Sequence, residues 1–396
     1  MTPEERLKHL FAEDIQEARI RAETAYDVAT GGLASSIIIH GAGRFGRMVS
    51  RKLNVLGIHP LAFVDNNPSL WGKKIDGLNV LEPKEAASTH GKRAVFLVCV
   101  WNGEAQDRMA DRVKQLKSLG CEVVVPFGRL FWKYHQAFLP HYCLDLPEKV
   151  LVQKNLIHAA MQLWGDRSSR EEFVAQVEFR TSLDFDLIDW TVDGKHYFPP
   201  GLFSLTENEV FVDCGAFDGD TVADFVQQTR GRFHQLIAFE PDTITYPRLE
   251  ERVSELDEAV RERIQLNHKA IGRMPGMIRF DSTGTVLSKT GSGSCEVQVV
   301  DLDSALASFN PTYIKFDIEG FEPEALMGAS HLLSRTRPIV AVSVYHQQDH
   351  LWRIPLLLSS MLPERYEFFL RPHDTESWDL VCYAIPAERT ALHPAQ

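Results

Sequence analysis

The chain has 396 residues, which at ~150 residues per domain is more than one hydrophobic core usually serves. Hydrophobic residues make up 44% and charged residues 24%, a composition that excludes disordered and fibrous classes. Asp and Glu total 54 against 42 Lys and Arg, so the net charge of -12 disfavours nonspecific binding to a nucleic-acid backbone.

The cysteine pattern and the N-terminal segment indicate the compartment. Six cysteines lie far apart, without a Cys-x-x-Cys pair, so neither a metal-finger spacing nor a dense disulfide framework is expected. The chain starts without an apolar signal segment, and its longest apolar runs are too short to span a bilayer. We therefore expect a cytoplasmic protein without membrane attachment.

The first third of the chain predicts a helix followed by an α/β domain. Apolar side chains recur at helical spacing over residues 3–28, which predicts one amphipathic helix ending near Gly31 and Gly32. Short apolar runs then alternate with helical stretches, as in a parallel sheet. These runs lie at 36–40, 61–64, 94–100 and 121–125. We predict an N-terminal helix over 1–33 and a Rossmann-like, nucleotide-binding-type domain over 34–135.

A helical bridge and a second α/β domain are predicted for the rest. Residues 136–205 lack β–α alternation, and 148–164 and 170–188 read as helices. From 206 to 396 the alternation returns, with an inserted hairpin or loop between residues 276 and 301. Strands are predicted at 210–213, 236–240, 263–268, 313–317, 338–346, 366–370 and 381–385. The fold class is therefore α/β, with two Rossmann-like domains joined by a helical bridge.

The first glycine loop, Gly41-x-Gly43-x-x-Gly46, follows a predicted strand and opens a helix. Asp65 follows 19 residues after the last glycine, at the end of the next strand, which is the dinucleotide-binding pattern in its usual context. Arg44 and the helix N-terminus would attract a phosphate. The same pattern also makes a tight strand-to-helix turn without a ligand. An NAD-dependent oxidoreductase would need a Tyr-x-x-x-Lys pair, which is not found, or a His-Asp or His-Glu pair, for which His135 and His141 remain unassigned.

The second glycine loop carries the opposite charge. It reads Val210-Phe-Val-Asp213-Cys-Gly215-Ala-Phe-Asp-Gly219-Asp, with three carboxylates within eight residues. These would repel a pyrophosphate but suit a cofactor with a sulfonium and an ammonium group. Glu240 ends the next predicted strand, where an acidic side chain can accept both ribose hydroxyls. The pattern points to S-adenosylmethionine; alternatively, Asp213 caps the helix and Glu240 is a solvated loop acid.

Residues 197–386 resemble the FkbM family of methyltransferases. The resemblance lies in Tyr197-Phe198, the second glycine loop through Thr221, Phe239-Glu240-Pro241, Asn267-His-Lys-Ala270-Ile-Gly272, Val300-Asp-Leu-Asp303 and Ile314-Lys-Phe-Asp317-Ile-Glu319-Gly-Phe-Glu322. It implies a class I methyltransferase sheet, S-adenosylmethionine as cofactor and, most often, O-methylation. The cofactor-binding residues it implies are Tyr197, Asp213, Gly215, Ala216, Phe217, Gly219, Thr221, Glu240, Pro241, Ala270 and Asp317. More loosely, residues 36–83 resemble nucleotide-sugar-binding Rossmann domains.

Candidate catalytic residues follow two predicted strands of the second domain. Asp317 and Glu319 follow the fourth strand and His346 ends the fifth, so all three can face the crevice where parallel sheets bind ligands. We predict that Asp317 positions the cofactor or acceptor, while His346 or Glu319 takes the acceptor proton. Each also has a structural reading: Glu319 as a helix cap, His346 as a strand-end residue. With His350, the three would also suit a divalent cation, but acid–base sites use the same groups, and we predict none.

The sequence therefore predicts an S-adenosylmethionine-dependent methyltransferase. Its acceptor would be a small molecule or glycan with a hydroxyl group, on a sugar or a secondary metabolite. A nucleotide or nucleotide sugar is the expected ligand of Gly41, Gly43, Gly46 and Asp65. The alternative is a nucleotide-sugar-binding or regulatory protein whose second domain is catalytically silent.

Overall fold

The computed structural model describes residues 1–102, 107–192, 194–281, 289–290 and 295–391. Two compact units make up the chain. The first comprises Met1–Lys154, Glu171–Trp190 and Asp374–Trp378, and the second comprises Asn155–Arg170, Thr191–His373 and Asp379–Gln396. Within the described residues, no helix is both long and apolar enough to cross a bilayer. The cytoplasmic location stays a prediction.

The first unit alternates helices and strands after two N-terminal helices. Its elements are α1 (Pro3–Leu10), α2 (Ile15–Thr30), β1 (Ile37–His40), α3 (Arg44–Val55), β2 (Ala62–Val64), β3 (Lys74–Ile75), β4 (Leu78–Leu81), α4 (Pro83–His90), β5 (Val95–Val98), α5 (Met109–Ser118), β6 (Val123–Pro126), α6 (Phe127–Lys133), α7 (His135–Phe138) and α8 (Pro147–Val152). Short 3₁₀ helices lie at Gly31–Leu33 and Pro68–Leu70.

The single amphipathic helix predicted over residues 3–28 is two helices. Asp14 adopts an extended conformation, and its side chain accepts a hydrogen bond from Gln16 N–H. The Glu17 side chain accepts a hydrogen bond from the Asp14 backbone N–H, which completes a capping box and starts α2. The prediction was wrong at this point because the apolar spacing continues across the break, whereas the cap is local. Leu7 and Ala18 bury the apolar faces of both helices.

The sheet of the first unit has the strand order β3-β4-β2-β1-β5-β6. All neighbours are parallel except β3 and β4, which form a short antiparallel hairpin. The residues Ile37, Ile38 and Ile39 of β1 are fully buried, as expected for the central strand of a parallel sheet covered on both faces. The strand order reverses at β1 and β5, the position where such sheets bind ligands.

The stretch predicted as a helical bridge contains α9 (Lys154–Met161), α10 (Arg167–Ser182) and a 3₁₀ helix at Phe185–Ile188. It does not form a unit of its own. Asn155–Arg170 belongs to the second unit, and Glu171–Trp190 belongs to the first. The domain boundaries at 135 and 205 were placed on the change of sequence pattern, and they stay predictions.

The second unit contains the longer series of strands. Its elements are β7 (Val210–Cys214), α11 (Asp220–Gln228), β8 (Gln235–Phe239), α12 (Tyr246–Ser254), α13 (Glu258–Arg261), β9 (Ile264–Asn267), β10 (Ala270–Ile271), β11 (Gly276–Asp281), β12 (Lys289–Thr290), β13 (Cys295–Val300), α14 (Leu302–Ala305), β14 (Tyr313–Phe316), α15 (Glu322–Met327), α16 (Ser330–Thr336), β15 (Ile339–Ser343), α17 (His350–Met361), β16 (Tyr366–Pro372) and β17 (Leu380–Pro386). A 3₁₀ helix at Ala387–Arg389 follows.

Its main sheet has the order β16-β17-β15-β14-β7-β8-β9. The five neighbouring strands β15, β14, β7, β8 and β9 are parallel, and β17 is antiparallel to both of its neighbours, β15 and β16. The chain winds outward from β7 in one direction and from β14 in the other, so the carboxyl ends of these two strands border the switch point. The predicted α/β fold class is confirmed.

The insertion predicted between 276 and 301 is an antiparallel pair. β11 pairs with β13 from Gly276 opposite Val299 to Phe280 opposite Cys295. With β10 and β12 these strands form a separate four-stranded sheet in the order β10-β13-β11-β12. The Ser- and Gly-rich stretch that the sequence places in this insertion lies largely outside the described residues.

Candidate active site

The second glycine loop is shaped by close backbone contacts. Gly215 has a φ of +87°, and a Cβ at this position would lie 1.9 Å from the carbonyl oxygen of Asp317. Gly219 also has a φ of +87°. It adopts the left-handed conformation directly before the first residue of α11. Only glycine fits at Gly215, because any side chain would separate the carboxyl ends of β7 and β14.

Glu240 lies directly after β8 and is bonded to the glycine loop. Its Oε2 accepts a hydrogen bond from Phe217 N–H at 2.8 Å. Its Oε1 accepts from Asp242 N–H at 2.8 Å and from the Thr245 hydroxyl at 3.0 Å. Burial raises the pKa of Glu240 to about 7. The carboxylate is held in one orientation at the end of the second strand, where we predicted a ribose contact.

Asp213 and Lys315 form a buried ion pair beneath the loop. Lys315 Nζ lies 2.9 Å from Asp213 Oδ1 and donates a hydrogen bond to the Gly215 carbonyl oxygen at 2.7 Å. The ammonium also lies 4.9 Å from the ring centroid of Tyr197. Burial lowers the pKa of Lys315, but Asp213 and Asp317 outweigh it, so the net shift is upward. Removing either partner would leave an uncompensated buried charge.

Asp317 follows β14 and is oriented by an aromatic hydroxyl. The Tyr197 hydroxyl donates a hydrogen bond to Asp317 Oδ2 at 2.7 Å and lies 3.1 Å from the Ser343 hydroxyl. Burial raises the pKa of Asp317, but the charges of Lys315 and His346 outweigh it and hold the pKa below its usual value. Asp317 is therefore an ionised carboxylate at neutral pH.

His346 lies among three carboxylates. Its Nε2 is 3.4 Å from Asp317 Oδ1 and 3.9 Å from Glu319 Oε2, and its Nδ1 is 2.8 Å from Glu322 Oε1. Burial alone would lower the pKa of His346, but the carboxylates of Glu322, Glu319 and Asp317 raise it to about 10. An imidazole that already carries a proton at neutral pH cannot accept another. These charges favour the protonated imidazole, so they favour Glu319 of the two predicted proton acceptors; the role of His346 stays a prediction.

A cavity of about 500 Å³ opens above these residues. Nine of the predicted site residues line it: Tyr197, Gly215, Phe217, Thr221, Glu240, Pro241, Ala270, Asp317 and Glu319. Four others are not part of the lining, namely Asp213, Ala216, Gly219 and His346. Asp213 and His346 lie behind lining residues instead, because each is paired with a charged side chain that reaches the cavity.

Several lining residues were missed by the sequence predictions. Lys315 is the most informative, since a lysine inside the otherwise apolar strand β14 is a signal that could have indicated a buried charge partner. The start of the inserted sheet also lines the cavity, and its side chains Met274 and Met277 are 71% and 61% exposed. Nothing in their spacing relates them to the motifs of the main sheet.

The first glycine loop makes the same kind of turn as the second, but it does not line a comparable cavity among the residues described. Gly41 has a φ of +107°, and Asp65 Oδ2 accepts a hydrogen bond from Ala42 N–H at 2.8 Å. Arg47 pairs with Asp76 at 3.2 Å, which offsets part of the positive charge beside the loop. A cavity of about 400 Å³ in this unit is lined by Asn66, Trp71, Glu82, Pro83, Lys84, Gln115, Ser118 and Leu119. No residue of the glycine loop is among them.

Residues 213–374 match the model of the methyltransferase FkbM domain. The predicted family resemblance is confirmed over this segment, about two-fifths of the chain, and it indicates a methyltransferase. The looser resemblance of residues 36–83 to nucleotide-sugar-binding domains stays a prediction. No curated protein matches the chain in sequence.

The fold of the chain is found in a solved structure. The methyltransferase FkbM from Methylobacillus flagellatus KT superposes with a TM-score of 0.74 at 21% identity, covering 93% of this chain and 99% of that one. The methyltransferase domain of the bacterial CtHen1-CN protein, at 13% identity, covers 45% of this chain and 90% of that one, with a TM-score of 0.26. An rRNA methylase from Streptococcus thermophilus, at 12% identity, covers 46% and 90%, with a TM-score of 0.28. The last two superpositions are too weak to inform on this chain.

Proposed function

We propose that the chain, with its FkbM-type segment at residues 213–374, is an S-adenosylmethionine-dependent methyltransferase acting on a hydroxyl group. The acceptor would be a sugar, a glycan or a secondary metabolite. The observation that carries the proposal is that Gly215, Glu240, Asp317 and Glu319 line one cavity at the switch point of the parallel sheet. Ligands of such sheets bind at this position.

The charges of the cavity fit a cationic cofactor without phosphate. Seven carboxylate side chains line it against three of Lys or Arg: Asp220, Glu240, Asp242, Asp317, Glu319, Glu324 and Asp379 against Lys269, Arg273 and Lys315. This excess of negative charge favours the sulfonium and ammonium groups of S-adenosylmethionine over a pyrophosphate. The absence of a side chain at Gly215 leaves room for a close approach to the backbone.

Each cofactor-binding residue has a role that follows from its position. Glu240 would accept hydrogen bonds from the ribose hydroxyls, because its orientation is fixed by Phe217 and Asp242. Asp317, fixed by Tyr197, would hold the ammonium or the methyl end. Lys315 would hold the Gly215 carbonyl in place while Asp213 neutralises its charge.

The chemistry needs one proton acceptor near the acceptor hydroxyl. Bound S-adenosylmethionine would supply the methyl group: its bond to sulfur breaks, a bond to the hydroxyl oxygen forms, and the hydroxyl proton leaves. Glu319 is the group that would take this proton, because it lines the cavity whereas His346 does not. His346 lies 3.9 Å from Glu319 Oε2 and holds it in position from behind.

The first unit would bind a phosphate-bearing ligand, such as a nucleotide or nucleotide sugar. The backbone at Gly43 starts α3 without a side-chain cap, and a Cβ there would meet no atom within 4 Å. A helix N-terminus with open N–H groups favours an anion. This second proposal rests on the loop alone and is independent of the methyltransferase.

The test of the methyltransferase is transfer of a labelled methyl group. Wild-type protein would be incubated with methyl-labelled S-adenosylmethionine and a set of sugars and secondary alcohols, and the products identified by NMR. We expect an O-methyl product with at least one hydroxyl acceptor, and little product from the matched Glu319→Gln variant. Label found on an amine or carboxylate would contradict O-methylation. Cofactor binding without transfer to any acceptor would favour the regulatory alternative.

A further inference from the structure

The His346 imidazole has a different environment on each of its two nitrogens. Nε2 faces Asp317 Oδ1 at 3.4 Å and Glu319 Oε2 at 3.9 Å, whereas Nδ1 faces Glu322 Oε1 at 2.8 Å. Two ligand atoms that share a divalent cation at about 2.1 Å lie about 3.0 to 3.5 Å apart at ordinary ligand angles. The separation of Nε2 from Asp317 Oδ1 falls in this range, and that from Glu319 Oε2 is about 0.4 Å wider, whereas Nδ1 is in direct contact with Glu322.

We propose that Asp317, Glu319 and His346 bind one divalent cation of the Mn²⁺ type through Oδ1, Oε2 and Nε2. Two carboxylate oxygens suit a hard cation, and one imidazole nitrogen shifts the preference from Mg²⁺ toward a transition metal. Asp317, Glu322 and His346 each offer a ligand atom within 4.8 Å of the others. Glu319 is not a member of that group, and its Oε2 lies 3.9 Å from His346 Nε2.

Glu322 provides the outer support that a ligating histidine usually has. It is fully buried, and its Oε1 accepts hydrogen bonds from Ile318 N–H at 2.9 Å and Gly320 N–H at 3.3 Å. A carboxylate behind Nδ1 favours the tautomer with the proton on Nδ1 and leaves the Nε2 lone pair for a metal. The fixed loop between Ile318 and Gly320 also sets the position of Glu319.

Buried oxygens of Asp317 and Glu322 lack a hydrogen bond. Asp317 Oδ1 has none, although Oδ2 of the same carboxylate accepts one from Tyr197. Glu322 Oε2 has none either, and it lies 3.3 Å from His350 Nδ1. Buried carboxylate oxygens without a hydrogen-bond donor are costly unless a cation neutralises them. A cation beside Asp317 Oδ1 would satisfy that oxygen.

The position of the cation deepens the proposed function, on which its catalytic role rests. Asp317 and Glu319 line the cavity, so the open coordination positions would face the space assigned to the acceptor. A divalent cation lowers the pKa of a bound hydroxyl and fixes its oxygen. A carboxylate that gives one oxygen to the cation keeps the other, so Glu319 would still receive the hydroxyl proton.

The test is a titration of the chelator-treated full chain with Mn²⁺, followed by electron paramagnetic resonance. We expect one Mn²⁺ per chain, and at least tenfold weaker binding by Glu319→Gln and Asp317→Asn. Glu324→Gln is the matched control, because Glu324 lines the same cavity outside the cluster and its loss should leave the affinity unchanged. Equal Mn²⁺ affinity in Glu319→Gln and wild type would overturn the proposal, as would the absence of binding.

A spectroscopic signature distinguishes a histidine that coordinates the cation from one that only lies near it. Bound Mn²⁺ should show coupling to a histidine nitrogen in pulsed experiments, and His346→Gln should abolish that coupling. Because His346 is buried, its variant needs a melting curve, whereas the partly exposed Glu319 can be changed without disturbing the core. S-adenosylhomocysteine binding, measured without metal, tests the proposed function separately. Mn²⁺ bound without nitrogen coupling would contradict the assigned ligands.

Discussion

The two glycine loops use the same device to fix the turn from strand to helix. In the first unit, Asp65 at the end of β2 accepts a hydrogen bond from Ala42 N–H at 2.8 Å. In the second, Glu240 at the end of β8 accepts one from Phe217 N–H, also at 2.8 Å. Each carboxylate thus holds its own loop. The glycine pattern and the acidic residue therefore predict this turn, but they do not predict which ligand the unit binds.

The difference lies at the ends of the neighbouring strands. β14 ends beside Asp317 and Glu319, which line the cavity of the second unit. Beyond β5 of the first unit lie Cys99 and Trp101, both buried. Phe45 of the first loop stacks on His141 with centroids 5.3 Å apart. The chemistry is therefore indicated by the residues beyond the loop. Among the residues that the structure describes, the carboxylates proposed for methyl transfer follow β14 of the second unit.

The largest expected effect is on turnover. Glu319→Gln removes the proposed proton acceptor, and a positioned base is typically worth ~100-fold to 10,000-fold in rate. We expect kcat to fall within this range while the affinity for S-adenosylhomocysteine stays near that of wild type. Asp317→Ala should reduce both, because Asp317 lines the same cavity and is also proposed to hold the cofactor.

Asp65→Asn is the matched control in the first unit, and it should leave kcat unchanged. Kinetics of methyl transfer and calorimetry check both variants. Full activity in Glu319→Gln would leave proximity as the main catalytic device and remove the assigned base.

A second effect concerns cofactor affinity. Glu240→Ala should weaken binding of S-adenosylhomocysteine by about 2 to 4 kcal/mol, because two charge-assisted hydrogen bonds to the ribose are lost. Asp65→Ala should have no effect on this affinity. Since Glu240 also holds Phe217 and Asp242, melting curves must show that the variant is folded. Wild-type affinity in folded Glu240→Ala would remove the ribose assignment.

The first loop can be tested by replacing two of its glycines, one that does not tolerate a Cβ atom and one that does. Gly41→Ala should destabilise the chain by more than ~1 kcal/mol, because its φ is +107° and the new Cβ would lie 2.7 Å from Cys99 O. Gly43→Ala should leave stability nearly unchanged, since its φ of -73° suits alanine. If a nucleotide binds close to this backbone, its thermal shift should be smaller in Gly43→Ala.

The readout is the melting temperature with and without NAD, nucleoside diphosphates and nucleotide sugars. No shift with any of them in wild type would mean that the first loop is a turn only.

The smallest expected effect is on the pH dependence of stability, to which two buried carboxyl groups contribute, one in each unit. Burial raises the pKa of Glu240 and of Glu376 to about 7 in the folded chain. A raised folded pKa means that stability is lost as pH rises from about 4.5 through 7, where the unfolded carboxyl is already ionised. Glu240→Gln and Glu376→Gln should therefore gain stability relative to wild type between pH 5 and pH 8. Unfolding in urea at both pH values measures this, and parallel curves would contradict the raised pKa values.

The sequence was most informative where the signal is local or periodic. Strand ends place Glu240, Asp317 and Glu319 at one edge of the sheet, and all three line the cavity. The pairing of Asp213 with Lys315 was missed, because partners on separate strands are brought together only by the register of β7 and β14.

Glu322 was missed as a site residue for a related reason. Its distance to His346 depends on the bend of the loop around Glu319, which has a positive φ of 56°. The boundaries of the two units could not be predicted from the sequence pattern either. Glu171–Trp190 and Asp374–Trp378 return to the first unit from distant parts of the chain, and only long-range contacts specify that.

The central claim is that the second unit, and not the first, binds the methyl donor. Native mass spectrometry of the full chain with added S-adenosylhomocysteine tests it most directly. We predict one bound molecule per chain, in wild type and in Asp65→Asn, and loss of the complex in Glu240→Ala. A chain that binds nucleotides but no S-adenosylhomocysteine, or one whose complex is lost in Asp65→Asn and kept in Glu240→Ala, would contradict the account.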